Sequence, residues 1–202
     1  MGAAFASVPE TGIRVKTWVK NRLAGFRPCF AVRDLVFIGI FAAVMKAVTL
    51  IIAFAGGGMN PLTLFIKNFV YTALMLVLVH KVRKPWTMTM AVLVTCLISF
   101  LLMGQGILHT PGALAACLLA ELLILLLGGY ENTVALVLGV LFMELATKAV
   151  SVAISLISLR EQPGLILTVL VFVGIGAVGS VVGIGGGLKF VKELRHASIL
   201  PQ

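Results

Sequence analysis

Charge is what this sequence has least of. Only 11% of its 202 residues are Asp, Glu, Lys or Arg, while 60% are hydrophobic, and the mean hydropathy is +1.14. A water-soluble domain carries about 25% charged residues, so this chain lacks the polar groups to cover its own surface in water. Cysteine is also scarce. Cys29, Cys96 and Cys117 form no CxxC and have no histidine at ligand spacing, which excludes a disulfide framework and a zinc site and leaves small, buried, reduced residues. Aromatic residues make up 8% and do not interleave with the basic ones. The net charge of +9 therefore belongs to membrane flanks and not to a nucleic-acid surface. HExxH, a nucleophile elbow, a His/Cys metal cluster and an Asn-X-Ser/Thr sequon are all missing. The first 34 residues lack a continuous apolar core with a small-residue cleavage site, so they are not expected to be a signal peptide.

What the chain has instead is apolar runs. A helix needs about 20 apolar residues to cross the hydrocarbon core. Six candidates fall at Leu35–Ala55, Pro61–His80, Trp86–Met103, Pro111–Leu127, Thr133–Ser158 and Leu165–Leu188. Turn chemistry separates them: Gly56-Gly57-Gly58-Met59-Asn60-Pro61, Lys84-Pro85, Gly104-Gln105-Gly106, Gly128-Gly129 and Gln162-Pro163-Gly164. The expected fold is an all-α membrane protein, a six-transmembrane-helix bundle. Residues 1–34 are a basic cytoplasmic or interfacial segment, 35–188 the helical domain, and 189–202 a basic tail.

Lysine and arginine set the orientation. Arg14, Lys16, Lys20, Arg22, Arg27 and Arg33 precede the first span, Lys81, Arg83 and Lys84 follow the second, and Lys189, Lys192 and Arg195 follow the sixth; the opposite loops hold only Arg160. The positive-inside rule then puts both termini in the cytoplasm. Within Val15–Arg27, apolar Val15, Trp18, Val19, Leu23 and Phe26 alternate with Lys16, Lys20 and Arg27. That pattern reads either as an interfacial amphipathic helix or as a disordered basic tail.

Ionisable residues inside the membrane carry the functional information, because each is costly to insert without a partner. They are Lys46, Lys67, Glu121, Glu144 and Lys148. In the fifth span Glu144, Lys148, Ser151, Ser155 and Ser158 recur at steps of four and three, with Thr147 alongside, which draws one polar stripe along a single helical face. It reads as the wall of an outward-opening substrate cavity. The alternative is a self-neutralising Glu144–Lys148 pair bonded to a neighbouring helix. Glu121 is expected to pair with Lys46 or Lys67, and Lys67 with Asn68 and Tyr71 could also line a cavity. Asn60, Gln105 and His109 lie in outer loops that look like caps and are candidate substrate contacts along with Glu144, Thr147, Lys148 and Ser151. A cavity with Glu144 and Lys148 suits a zwitterion or mixed polar ligand; Met59 and Met103 near its mouth would also tolerate a flat cofactor. Gly39, Ala43 and Ala47 on the first span, and Gly179, Gly183 and Gly187 on the sixth, form small-residue rows that either pack helices within the chain or dock a partner. Gly174-Ile-Gly-Ala-Val-Gly179 and Gly183–Lys189 imitate nucleotide-binding loops, but the first lies inside an apolar span with no strand before it and the second lacks a Ser/Thr after its lysine. No ATPase of its own is expected, no metal, and no catalytic residue.

Ala43-Val-Met-Lys-Ala47, the basic run His80-Lys-Val-Arg-Lys-Pro85, Gly104-Gln-Gly106 and Leu127-Gly-Gly-Tyr130 occur in this order along residues 34–188. In this the chain resembles the substrate-binding S components of energy-coupling factor (ECF) transporters, and more specifically the Trep_Strep or MptD-type subfamily. Gly-Gln-Gly stands where that group is expected to show a Gly-His-Gly-like turn. The resemblance implies a six-helix subunit that binds a vitamin- or cofactor-like molecule in its outer half. It implies docking through the Ala43/Ala47 face to a transmembrane T component with two ABC-type ATPases, which alone use ATP, and toppling to release the cargo inside. The competing readings are a stand-alone small-solute transporter or channel and a membrane enzyme or assembly factor. For the enzyme, Glu144, Glu121 and His109 are the only acid/base groups, and they are expected at different depths.

Overall fold

The computed structural model describes residues 30–56, 60–103, 110–158 and 163–196. These form α1 (Val32–Ala55), α2 (Pro61–Lys81), α3 (Thr87–Met103), α4 (Thr110–Leu126), α5 (Thr133–Ser158) and α6 (Pro163–His196). No strand occurs among the described residues. The expected helix positions hold to within a few residues, except that α6 continues through Lys189, Lys192 and Arg195 to His196. Four helices, α1, α2, α5 and α6, are long and apolar enough to cross a membrane; α3 and α4 are shorter apolar helices of 17 residues each, about 25 Å at the α-helical rise. Val15–Arg27 and Cys29 lie outside the described residues.

Local chemistry fixes the helix ends. Asn60 opens α2, accepting from the Leu62 N–H at 3.4 Å, with Pro61 in the first turn where its missing N–H costs nothing. Asn132 opens α5 by accepting from the Val134 N–H at 3.0 Å. Gly128 and Gly129 follow α4 with φ of 127° and 86°, a left-handed turn that side chains resist. Asp34, in the first turn of α1, accepts from the Ala31 N–H and from Lys84 Nζ at 2.6 Å, which ties the start of α1 to the α2–α3 connection.

The helices contact one another in the circular order α1, α3, α4, α5, α6, α2, and α2 also touches α3 and α5. This inward position of α2 explains why its consecutive residues Met75 to His80 are all buried; a helix surrounded by others needs no polar face. The core runs from Ile38 and Met45 through Met75, Leu76 and Leu78 to Met88, Ile124, Leu136 and Val140. The outside is studded with large apolar side chains such as Val32, Phe54, Leu101 and Ile157, which suits a lipid-facing surface.

The two small-residue rows have different fates. A side chain added at Gly179 or Gly183 would meet the backbone of Phe65 or Phe69 on α2 at 2.6 Å. The sixth-span row therefore packs α6 against α2 within the chain. On α1, by contrast, Gly39 has nothing within 4 Å of where a Cβ would stand, and Ala43 and Ala47 are exposed.

Candidate functional site

The stripe on α5 turns inward. Glu144 is only 4% exposed. Lys148 Nζ donates to Glu144 Oε2 at 2.5 Å and to Ser180 Oγ of α6 at 2.8 Å. Ser180 Oγ has Glu144 Oε2 at 3.0 Å and the Gly176 carbonyl at 3.2 Å as acceptors for its proton. The pair is thus a three-membered network across two helices, one turn along α5 and braced by a buried hydroxyl. Thr147 donates to the Met143 carbonyl and Ser151 to the Thr147 carbonyl, at 2.8 and 3.0 Å. With their protons spent on the helix, these two hydroxyls present oxygen lone pairs to a neighbour.

That neighbour is a cavity of about 270 Å³. Glu144, Thr147, Lys148 and Ser151 make one wall, Lys67, Asn68 and Tyr71 of α2 another, and Val92, Ala113, Cys117 and Met143 an apolar lining. A second cavity of about 460 Å³ adjoins it, sharing Asn68, Lys148 and Ser151, and follows Ser155 towards Thr168 and Phe172 of α6. Together they fall in the range of small-molecule sites, roughly 300–1,000 Å³, largely apolar with a few convergent polar groups. Asn68 uses one amide proton on the Leu64 carbonyl at 2.7 Å. Lys67 is exposed, and neither its ammonium nor the Tyr71 hydroxyl has a hydrogen-bond partner among the described residues.

Four of the substrate-contact candidates, Glu144, Thr147, Lys148 and Ser151, therefore converge on one cavity. Asn60 does not join them; it is exposed and caps α2. Gln105 and His109 lie outside the described residues. The glutamate–lysine pair and the cavity wall, two alternatives on the sequence, coexist, since Lys148 serves both. Ser180 is the residue that sequence reading missed. Its signal is its spacing: it stands four residues after Gly176 and beside Gly179, on the face of α6 that approaches its neighbours.

Glu121 corrects an expectation. It pairs with neither Lys46 nor Lys67. Its Oε2 accepts from the Trp86 N–H, and its Oε1 from the Met88 and Thr89 N–H groups, each at 3.0 Å. These are among the backbone donors that the start of α3 leaves without helical acceptors, and a carboxylate there also complements the helix dipole. Trp86 holds φ of 70°, a left-handed conformation rare outside glycine, which turns its N–H towards Glu121. The reason is depth: α4 ends at Leu126, so Glu121 sits level with the α2–α3 connection, far from Lys67 near the opposite end of the bundle. The Gly128-Gly129 turn then brings Tyr130, 6% exposed, into the same core.

No group of three or more His, Cys, Asp or Glu capable of holding a metal occurs among the described residues. No curated protein and no solved structure matches the chain. One family does: that described as hypothetical bacterial integral membrane protein (Trep_Strep), over residues 32–162, from the start of α1 to just beyond the end of α5. With its apolar helices and lipid-suited exterior, this multi-pass membrane protein belongs to the Trep_Strep family.

Proposed function

We propose that the chain is the substrate-binding subunit of an ECF-type importer in the cell membrane. It captures a small vitamin- or cofactor-like molecule from outside and delivers it with a T component and two ABC-type ATPases. The observation that carries this reading is the cavity walled by Glu144, Thr147, Lys148 and Ser151. Its lining residues Lys67, Asn68, Ala113 and Ser151 lie in the half of the bundle away from Arg33, Lys84 and Arg195. In this reading all six helices span the bilayer, with α3 and α4 accommodated by local thinning, and both termini are cytoplasmic.

The row of half-buried Gly39 and exposed Ala43 and Ala47, next to exposed Val36, Ile40 and Val44, offers a flat face for close helix–helix contact with the T component. The chain contributes no catalytic residue and no cofactor of its own; ATP is consumed by the partners. Lys148→Ala removes both the network donor and a cavity wall, and is expected to weaken substrate binding at least about tenfold, or ~1.4 kcal/mol. Binding of the molecule retained through purification, measured on folded wild-type and variant protein, tests this. Unchanged affinity removes the stripe from the site.

A further inference from the structure

The charges lining the cavity do not balance. Lys67 and Lys148 share it with a single carboxylate, Glu144. Glu144 is already committed: it is buried, and its Oε2 receives both Lys148 and Ser180. Lys148 has used two of its three protons on that network, and its side chain lines the cavity. Lys67, on the facing wall, has no partner among the described residues. Uncompensated ammonium groups are unfavourable among apolar walls, so the occupant of this cavity supplies what the protein withholds.

We propose that the cavity takes a small anion, a molecule with a carboxylate or phosphate group seated between Lys67 and Lys148. Asn68 and the Tyr71 hydroxyl are its neutral donors, and Val92, Ala113 and Met143 hold a compact apolar body. This rests on the cavity being the substrate site proposed above, and it replaces the zwitterion suggested by sequence alone: Glu144 is spent on Lys148 and offers no free counter-charge to a ligand cation.

The sign of the cavity's potential can be read without knowing the ligand. In the full chain carrying Cys29→Ala, Cys96→Ala and Cys117→Ala, a reporter is placed at the wall by Thr147→Cys or, separately, Ser151→Cys. Each protein is reconstituted in liposomes. Its modification rates are measured with anionic and cationic methanethiosulfonates of similar size, normalised to their rates with a free thiol. The anionic reagent is expected to react at least about tenfold faster, and Lys67→Gln to bring the ratio to within about threefold of unity. Two reporters guard against one variant failing to fold. A ratio near unity or favouring the cation at both positions overturns the proposal, as does a ratio left unchanged by Lys67→Gln, or no reaction with either reagent. Absence of the anion preference while Lys67 is present counts against this inference alone; absence of a T component and ATPases from the purified complex counts against the subunit reading.

Discussion

Breaking the Glu144–Lys148 network from one side and from both sides should give opposite outcomes. In Lys148→Met the thioether side chain fills much of the lysine's volume but donates nothing. Among the described residues Glu144, 4% exposed, then keeps only the Ser180 hydroxyl at 3.0 Å as partner. Removing one partner of a buried ion pair costs about 3–5 kcal/mol, so Lys148→Met should lose stability by about that much. Glu144→Gln keeps a neutral acceptor but leaves the ammonium uncompensated, and should cost slightly less. The double variant Glu144→Gln/Lys148→Met removes both charges, and an apolar or neutral replacement of a buried pair is near neutral. The coupling from a double-mutant cycle should therefore approach the sum of the two single-site losses, about 5–9 kcal/mol. Reversible denaturant unfolding of the detergent-solubilised chain measures it. Ligand binding separates the two roles of Lys148: the double variant should regain stability but not affinity, because the cavity still lacks the Lys148 ammonium. Additive single-site losses, with coupling under about 0.5 kcal/mol, would refute the network; recovered affinity in the double variant would refute the cavity role.

Three further outcomes are expected. Glu121→Ala strands the Trp86, Met88 and Thr89 N–H groups and should destabilise by about 3–5 kcal/mol, with Glu121→Gln retaining part of that; equal melting temperatures for the three proteins would remove the cap. Gly183→Leu forces a side chain onto the Phe69 backbone and should destabilise by about 1–3 kcal/mol or more, whereas Gly185→Leu, with nothing within 4 Å, should leave thermal unfolding unchanged. Ala43→Leu with Ala47→Leu fills an exposed face, so stability and ligand binding should persist while co-purification with a T component is lost.

The helices were legible because apolar length is a strong signal and glycine and proline mark the breaks. The α5 stripe was legible for a different reason: steps of four and three put Glu144, Lys148 and Ser151 on one face whatever surrounds it. Which residue meets which is a tertiary matter. Nothing in the spacing of Glu121 says that its carboxylate reaches 35 positions back to Trp86; that follows from α4 running antiparallel beside α3 at a particular depth. Ser180 was hidden in a glycine row whose packing role masks a polar one. The two small-residue rows looked alike in sequence and were separated only by the position of α2, which covers Gly179 and Gly183 and leaves Ala43 and Ala47 bare.

The central claim, that this chain is a binding subunit driven by others, is tested most directly by affinity purification of the tagged full chain from native-host membranes in mild detergent. The account predicts a T component and two ABC-type ATPases recovered with it, all lost in the Ala43→Leu/Ala47→Leu variant. Recovery without any ATPase under conditions that keep membrane complexes intact, joined by saturable uptake into liposomes holding this chain alone, would contradict it.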